Sequence, residues 1–216
     1  MVAGVPQSPL AWSLVIPVKV LAQAKSRLAE HAGPSRSALA LAMAGDTVSA
    51  AVACLAVRAV IVVTDDSEAA SALAALGAVV VADEPEGGLN PALEHGAAVA
   101  ATRWPASGIG ALAADLPAVQ PGELERGLRA AAGWPEAFVP DAAGTGTTLY
   151  TARPGVAFQP RFGPGSAGRH AAAGAAELLL PDAPGLRRDV DTPDDLRRAA
   201  ALGLGPRTAA LEARLR

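Results

Sequence analysis

Several residue types and patterns are scarce in this chain, and each scarcity excludes something. One cysteine, Cys54, stands among 216 residues, which rules out an intrachain disulfide and a thiolate metal cluster. The histidines, His31, His95 and His170, show no metal-ligand spacing and read as surface or packing residues. A surplus of one charge is missing too. The net charge is −3, so no strong field advertises a nucleic-acid or anionic-membrane partner. The longest apolar stretch, Leu39 to Val57, is rich in alanine and interrupted by Asp46, and reads as a water-soluble helix rather than a membrane span. Met1 to Leu10 has neither a basic flank nor a long apolar core, so it does not read as a secretory signal. The expectation is a soluble, cytoplasmic chain that binds neither nucleic acid nor membrane.

Lysine, asparagine and isoleucine are nearly absent. Against 53 alanines and 16 arginines there are two lysines, one asparagine and three isoleucines. A GC-rich coding sequence accounts for that bias, which makes the exceptions informative. Lys19 and Lys25 lie six positions apart, and the one asparagine is Asn90. A hydrophobic fraction of 51% with 18% charged residues supports a packed core and excludes a disordered chain. The length suits a single domain spanning residues 1–216.

Strand and helix patterns alternate. Strands are expected at Ala11 to Val18, Ala59 to Thr64, Ala78 to Ala82 and Ile109 to Ala114, as short apolar runs rich in β-branched residues. Helices are expected between them at Pro34 to Cys54, Ser67 to Leu76 and Pro91 to Ala101, the last preceded by a Gly-rich turn, Glu86 to Asn90. The rhythm then loosens. A helix is read at Pro121 to Ala132, strands at Ala137 to Pro140, Thr147 to Thr151 and Glu177 to Leu180, and a closing helix at Pro193 to Leu202. Repeated βαβ units imply a doubly wound α/β domain, a mostly parallel sheet with helices on both faces. Ligands in such sheets gather at the carboxyl ends of the strands.

The polar residues after those strands are therefore the candidates. Lys19, Lys25 and Arg27 follow the first strand within nine residues, and three cations there suit a triphosphate. No GxxxxGK[ST] is present, so this is not a P-loop. Asp115 ends an apolar strand and can hold Mg²⁺ near phosphates, or cap the next turn. Asp189 and Asp191 share one side of an extended segment and offer a second acidic pair. The neighbouring Thr192-Pro193-Asp194-Asp195 reads as a helix start, with Thr192 as cap and the acids set against the helix dipole.

Gly163-Pro-Gly-Ser-Ala-Gly168 matches G-x-G-x-x-G literally, but it follows no clean strand and is a poor dinucleotide fingerprint. Ser166 can start a short helix there. Free N–H groups at that turn, with Arg161 and Arg169 near, would receive a carboxylate or phosphate. Gly144-Thr-Gly-Thr147 supplies further hydroxyls and backbone, or is a plain turn. No Ser/His/Asp set can be assembled. A reaction needing no general base fits better, such as attack by a phosphate monoester that is ionised above its second pKa of ~6.

Ile16-Pro-Val-Lys19, Ala24-Lys-Ser-Arg-Leu28, Ala114-Asp-Leu-Pro117, Gly144-Thr-Gly-Thr147, Arg161-Phe-Gly-Pro164 with Ser166 and Arg169-His170, and Asp189-Val-Asp-Thr-Pro193 occur in that order. The ordered set resembles the phosphoenolpyruvate / 2-phospho-L-lactate guanylyltransferases of coenzyme F-420 biosynthesis, over about Leu14 to Leu204. The resemblance implies a Rossmann-like, three-layer nucleotidyltransferase of glycosyltransferase-A-like architecture. It implies an enzyme that condenses GTP with a small phosphorylated carboxylic acid, releases pyrophosphate and uses Mg²⁺. By the same resemblance Asp115, Asp189 and Asp191 are the metal-binding acids, and Thr147, Gly163 and Ser166 contact phosphoenolpyruvate. Lys19, Lys25, Arg27, Gly88 and Asn90 are assigned to the nucleotide, with Lys25, Arg27 and Asp115 catalytic. A deazaflavin transferase would take the product, and the chain would act as a monomer or homodimer. Ala114, Gly165, Ala167 and Gly168 depart from the family pattern and bear on the shape of the acid pocket.

Phosphoenolpyruvate is the expected acid, with 2-phospho-L-lactate and 3-phosphoglycerate as alternatives. Two rivals compete with this reading. Sugar-phosphate and isoprenoid-precursor nucleotidyltransferases carry a Gly-rich loop after strand one, and Val18 to Ala24 contains no glycine. A non-catalytic nucleotide-binding domain has little use for three clustered carboxylates that repel one another.

Overall fold

The computed structural model describes residues 10–23, 25–83 and 87–215. Met1 to Pro9, Ala24 and the first residue of the expected Glu86 to Asn90 turn lie outside the described residues. The first half builds β1 (Trp12–Pro17), α1 (Ala29–Ala32), α2 (Arg36–Ala53), β2 (Val57–Val63), α3 (Ser67–Ala74), β3 (Val79–Val81), α4 (Leu89–Arg103) and β4 (Gly108–Leu112). The second half adds α5 (Pro121–Ala131), β5 (Glu136–Pro140), β6 (Thr147–Ala152), α6 (Ser166–Ala172), β7 (Ala176–Glu177), α7 (Pro193–Leu202) and α8 (Pro206–Leu215). The strands form one seven-stranded sheet in the order β3-β2-β1-β4-β6-β5-β7. β6 alone runs against its neighbours, antiparallel to both β4 and β5, while the other pairings are parallel.

Alternation along the strands explains the layers. Leu14 and Ile16 of β1, Leu112 of β4 and Leu149 of β6 turn to one face and join a core with α2, α3 and α5. Val15 and Ala111 turn to the other face and meet Leu93 and Ala97 of α4. Phe138 and Tyr150 extend that second face to Ala167 of α6. Strands buried on both faces read as continuous apolar runs, as Leu14 to Ile16 of β1 and Val60 to Val63 of β2 do. The mostly parallel, helix-covered sheet expected from the pattern is present.

α4 lies close to the sheet because Gly96 has no side chain. A Cβ there would collide with Val15 and Val63. Gly96→Leu is accordingly expected to lower stability by about 3 kcal/mol through overpacking, read by urea unfolding. An unchanged midpoint would show that α4 can move away freely.

Two elements differ from expectation. β7 pairs only over Ala176–Glu177, shorter and earlier than the run Glu177 to Leu180, although Leu178 and Leu180 still pack on the core. α8 was not expected. It is seated on α2 by a distant carboxylate: Asp46, 5% exposed, accepts hydrogen bonds from Arg207 N at 3.1 Å and Thr208 N at 2.8 Å. Those are orphan donors of the first turn.

Candidate active site

A cleft of about 760 Å³ opens at the carboxyl ends of β1 and β4. Because β6 is reversed, its amino end, Thr147, reaches the same edge. Lys19, Lys25, Arg27, Asp115, Thr147, Gly163, Ser166, Asp189 and Asp191 all line this cleft. Positions spread over 170 residues of sequence are thus brought together.

The cationic segment leaves β1 and is anchored from a neighbouring strand. Asp66, beyond β2, caps α3 by accepting from Glu68 N and Ala69 N, and its other oxygen accepts from Leu21 N at 2.9 Å. Those backbone donors hold the Asp66 carboxyl below its usual range. Lys19 and Arg27 are exposed at the rim, while Lys25 is half-buried. The Lys25 ammonium bridges Asp115 and Asp191, the latter at 2.8 Å. Burial pulls the Lys25 pKa down, but the two carboxylates outweigh it and the group stays charged. Its backbone has φ 55°, a left-handed conformation that costs a side-chain-bearing residue about 1 kcal/mol or more.

Asp115 sits on the turn after β4, and α2 fixes that turn. Thr47, fully buried, accepts from Leu116 N at 3.1 Å and shares its hydroxyl proton between the carbonyls of Met43 and Ala114. On the other side Val190 N donates to the Asp115 carbonyl at 3.1 Å, which ties the Asp189–Asp191 segment to it. Burial first, then Asp115, Asp141 and Asp191, push the Asp189 carboxyl up to about 7. The cluster therefore carries negative charge that its own cations do not fully offset.

That surplus and the hard oxygen donors fit a divalent cation. Among the described residues no three acidic, histidine or cysteine side chains converge as a ready-made metal cage. Mg²⁺ takes one or two carboxylates and completes its shell with water and phosphate oxygens, so the arrangement suits a cation that is bound with a nucleotide. Thr192 caps α7 as expected and forms a capping box with Asp195, and Asp194 pairs with Arg197 and Arg198. These two acids are structural, as their sequence context indicates.

Asp141, which the sequence reading missed, shapes the Gly144 to Thr147 turn. Its Oδ1 accepts from Thr145 N at 2.9 Å and its Oδ2 from Gly146 N at 2.8 Å. A Cβ on Gly146 would strike that carboxylate, so a larger residue there would have to displace Asp141 from the turn. The signal was available in Asp141-Ala-Ala-Gly-Thr-Gly, where an Asp precedes a turn it can cap.

Two side chains expected beside the ligands make their hydrogen bonds within the protein. The Asn90 amide was assigned to the nucleotide, but Oδ1 accepts from Phe162 N at 2.8 Å and Nδ2 donates to Phe162 O at 3.1 Å. Both ends of the amide hold the loop before Gly163, and neither Gly88 nor Asn90 lines the cleft. The Arg169 guanidinium, expected to receive an anion, instead donates to the carbonyls of Arg161 and Pro164. Arg161 is exposed and reaches Gln159 at 3.3 Å. The segment from Gly163 to Ser166 thus presents backbone and one hydroxyl to the cleft, with Gly163 at φ 121° and Gly165 at φ 71°.

His170 is packed, as one of its two expected readings had it. It is fully buried and stacked on Tyr150, ring centroids 4.7 Å apart. Burial, then Arg169 and Arg161 beside it, pull its pKa down to about 4, so the ring is neutral at physiological pH.

Comparison with known proteins agrees with this picture. The family model described as "Guanylyl transferase CofC like" matches residues 12–209. A phosphoenolpyruvate guanylyltransferase of Thermomonospora curvata is 66% identical over 206 residues, covering 95% of this chain and 90% of that one. Among solved structures, a Desulfovibrio desulfuricans G20 protein with the provisional name nucleotide-diphospho-sugar transferase superposes with TM-score 0.69. It shares 16% identity and covers 94% of this chain and 97% of its own. A Mycobacterium tuberculosis H37Rv protein crystallised with manganese has TM-score 0.50 and 20% identity, covering 88% and 97%. At such identities the structural likeness speaks for the fold, that of the nucleotidyltransferases.

Proposed function

The chain belongs to the CofC-like guanylyl transferase family and is a nucleotidyltransferase, and from this we propose that it joins GTP to phosphoenolpyruvate with release of pyrophosphate. The product, enolpyruvyl-diphospho-guanosine, would serve coenzyme F-420 biosynthesis by passing to a deazaflavin transferase. One observation supports this reading above others. A single cleft places cations and carboxylates at the β1 and β4 ends, and beside them a hydroxyl- and glycine-lined pocket at Thr147, Gly163 and Ser166. The name of the 66% identical relative supports the choice of acid.

Lys19, Lys25 and Arg27 bind the triphosphate and draw off its charge. Thr147, Gly163 and Ser166 hold the acid so that its phosphate oxygen lies in line with the α-phosphorus. That oxygen is already ionised near neutral pH, with a second pKa of ~6, so no side chain need remove a proton. The new P–O bond forms as the bond to pyrophosphate breaks. Asp115, Asp189 and Asp191 would hold a divalent cation, Mg²⁺ in this proposal, which supplies charge neutralisation at phosphate oxygens. The manganese in the M. tuberculosis relative of the fold is in keeping with that donor set. Catalysis is then positioning and electrostatics, without a covalent intermediate.

The test is product analysis by mass, with GTP, Mg²⁺ and equal amounts of phosphoenolpyruvate, 2-phospho-L-lactate and 3-phosphoglycerate in competition. The expected main product is the phosphoenolpyruvate adduct, formed with stoichiometric pyrophosphate. A dominant adduct of another acid would overturn the substrate. Silence with every acid, and with CTP or ATP in place of GTP, would leave a binding module.

A further inference from the structure

The chemistry above uses no histidine, yet His170 is fully buried beneath the acid pocket with both ring nitrogens engaged. Nε2 accepts from the backbone N–H of Arg161 at 3.0 Å. Nδ1 lies 3.0 Å from Thr147 Oγ1. A backbone N–H can only donate, so Nε2 bears no proton, and the neutral ring must carry its hydrogen on Nδ1. Nδ1–H therefore donates to Thr147, whose hydroxyl accepts from within the core and keeps its own hydrogen to give into the cleft.

The same ring reaches every part of the pocket. Arg161 stands two residues before Gly163, and Ser166 lies one helical turn before His170 on α6. The Ala167 N–H donates to Thr145 O at 3.1 Å, which joins that helix to the Gly144 to Thr147 turn. Tyr150 stacks on the ring, and Phe138 and Phe162 close round it at 5.7 and 5.4 Å. The aromatic walls enclose the imidazole, and its two hydrogen bonds orient it. We propose that His170 is a positioning residue for the phosphorylated acid, locked as the Nδ1–H tautomer, that aims the Thr147 hydroxyl as a donor and fixes the Arg161 to Ser166 loop around the substrate. This rests on the reading of Thr147, Gly163 and Ser166 as the acid's contacts.

Two measurements test it. Long-range ¹H–¹⁵N correlation on the folded, substrate-free enzyme should show the His170 ring neutral and protonated on Nδ1 at pH 8 and still at pH 6. A ring protonated on Nε2, or an imidazolium at pH 6, overturns the proposal. Steady-state kinetics should then separate the two substrates. His170→Phe keeps the stacking and loses both hydrogen bonds. It should raise KM for phosphoenolpyruvate about tenfold or more while KM for GTP stays within about twofold. His170→Asn, whose amide can still donate to Thr147, should recover part of that loss, and it serves if the Phe variant does not fold. In a Thr147→Val background, His170→Phe should add little, since the two act as one unit.

Unchanged KM for the acid, equal increases for both substrates, or independent effects of the two substitutions would each refute the assignment. A wild-type enzyme that accepts no acid overturns the acid-pocket reading, and the assignment with it. Normal wild-type turnover with an unaffected His170→Phe variant overturns the assignment alone.

Discussion

Asp115→Ala is expected to cut kcat/KM for guanylyl transfer by about a thousandfold or more, the scale lost when a charge-stabilising group is removed from a transition state. Asp115 is the carboxylate nearest the middle of the cleft's charge network. It faces Lys25, shares that ammonium with Asp191, and lies close enough to Asp189 to raise its pKa. Without it, Lys25 loses one of two partners and the proposed divalent cation would lose a ligand. The backbone of the turn does not depend on this side chain, because Thr47 and Val190 hold it through main-chain groups. Circular dichroism and the unfolding midpoint should therefore stay near wild type while pyrophosphate release collapses. Asp115→Asn, isosteric but uncharged, should behave almost as badly. Turnover within tenfold of wild type in both variants would remove Asp115 from the metal and triphosphate site.

Asp189→Asn should abolish turnover to a similar degree yet make the metal-free protein more stable. A carboxyl whose folded pKa is raised opposes folding once it is ionised. The penalty is absent below the unfolded pKa, near 3.9, grows as pH rises, and is complete above the folded value of about 7. Removing the charge should thus add on the order of 2 kcal/mol at pH 8, after discounting for partial exposure, and close to nothing at pH 4. Urea unfolding at the two pH values, in the presence of a chelator, reads the difference directly. Equal stability of variant and wild type at pH 8 would show that Asp189 is adequately solvated or paired. Excess Mg²⁺ with GTP should narrow the gap, since ligands stabilise only the protein that binds them.

Much of the architecture was legible because local signals agreed with one another. α7 runs over Pro193–Leu202 as expected, since Thr192, Pro193 and two acids state a helix start in four consecutive residues. β2 and α3 were found within a few residues for similar reasons. Lys19, Lys25, Arg27, Asp115 and Thr147 were legible for another reason, since polar side chains at strand ends have few purposes in a sheet buried on both sides. Gly163, Ser166, Asp189 and Asp191 stood out through local motifs and the resemblance. What escaped depends on partners far away in the chain. α8 begins at a proline, but its anchor is Asp46, 161 residues from Arg207, and Asp46 looked only like an interruption in an apolar helix. Asn90 was assigned to the nucleotide by resemblance, and the hydrogen bonds its amide makes to Phe162, 72 residues on, carried no local signal. His170 looked like packing, and it is packed. Its purpose depends on which nitrogen bears the proton, and only the position of the Arg161 N–H decides that.

The reversal of β6 has an evolutionary consequence. Everything assigned to GTP hangs from the parallel strands β1 and β4 and from the Asp189 segment. Everything assigned to the acid hangs from the amino end of β6 and the stretch that follows it to α6. The two halves meet along one pair of strands, β4 with β6, and are tied further by the Asn90 amide on Phe162 and by Asp141 beside Asp189. A lineage could thus exchange one phosphorylated acid for another by redrawing the Gly144 to Thr147 turn and the Arg161 to His170 stretch alone. The nucleotide half would be inherited unchanged, as a fixed engine to which different acceptor pockets can be fitted.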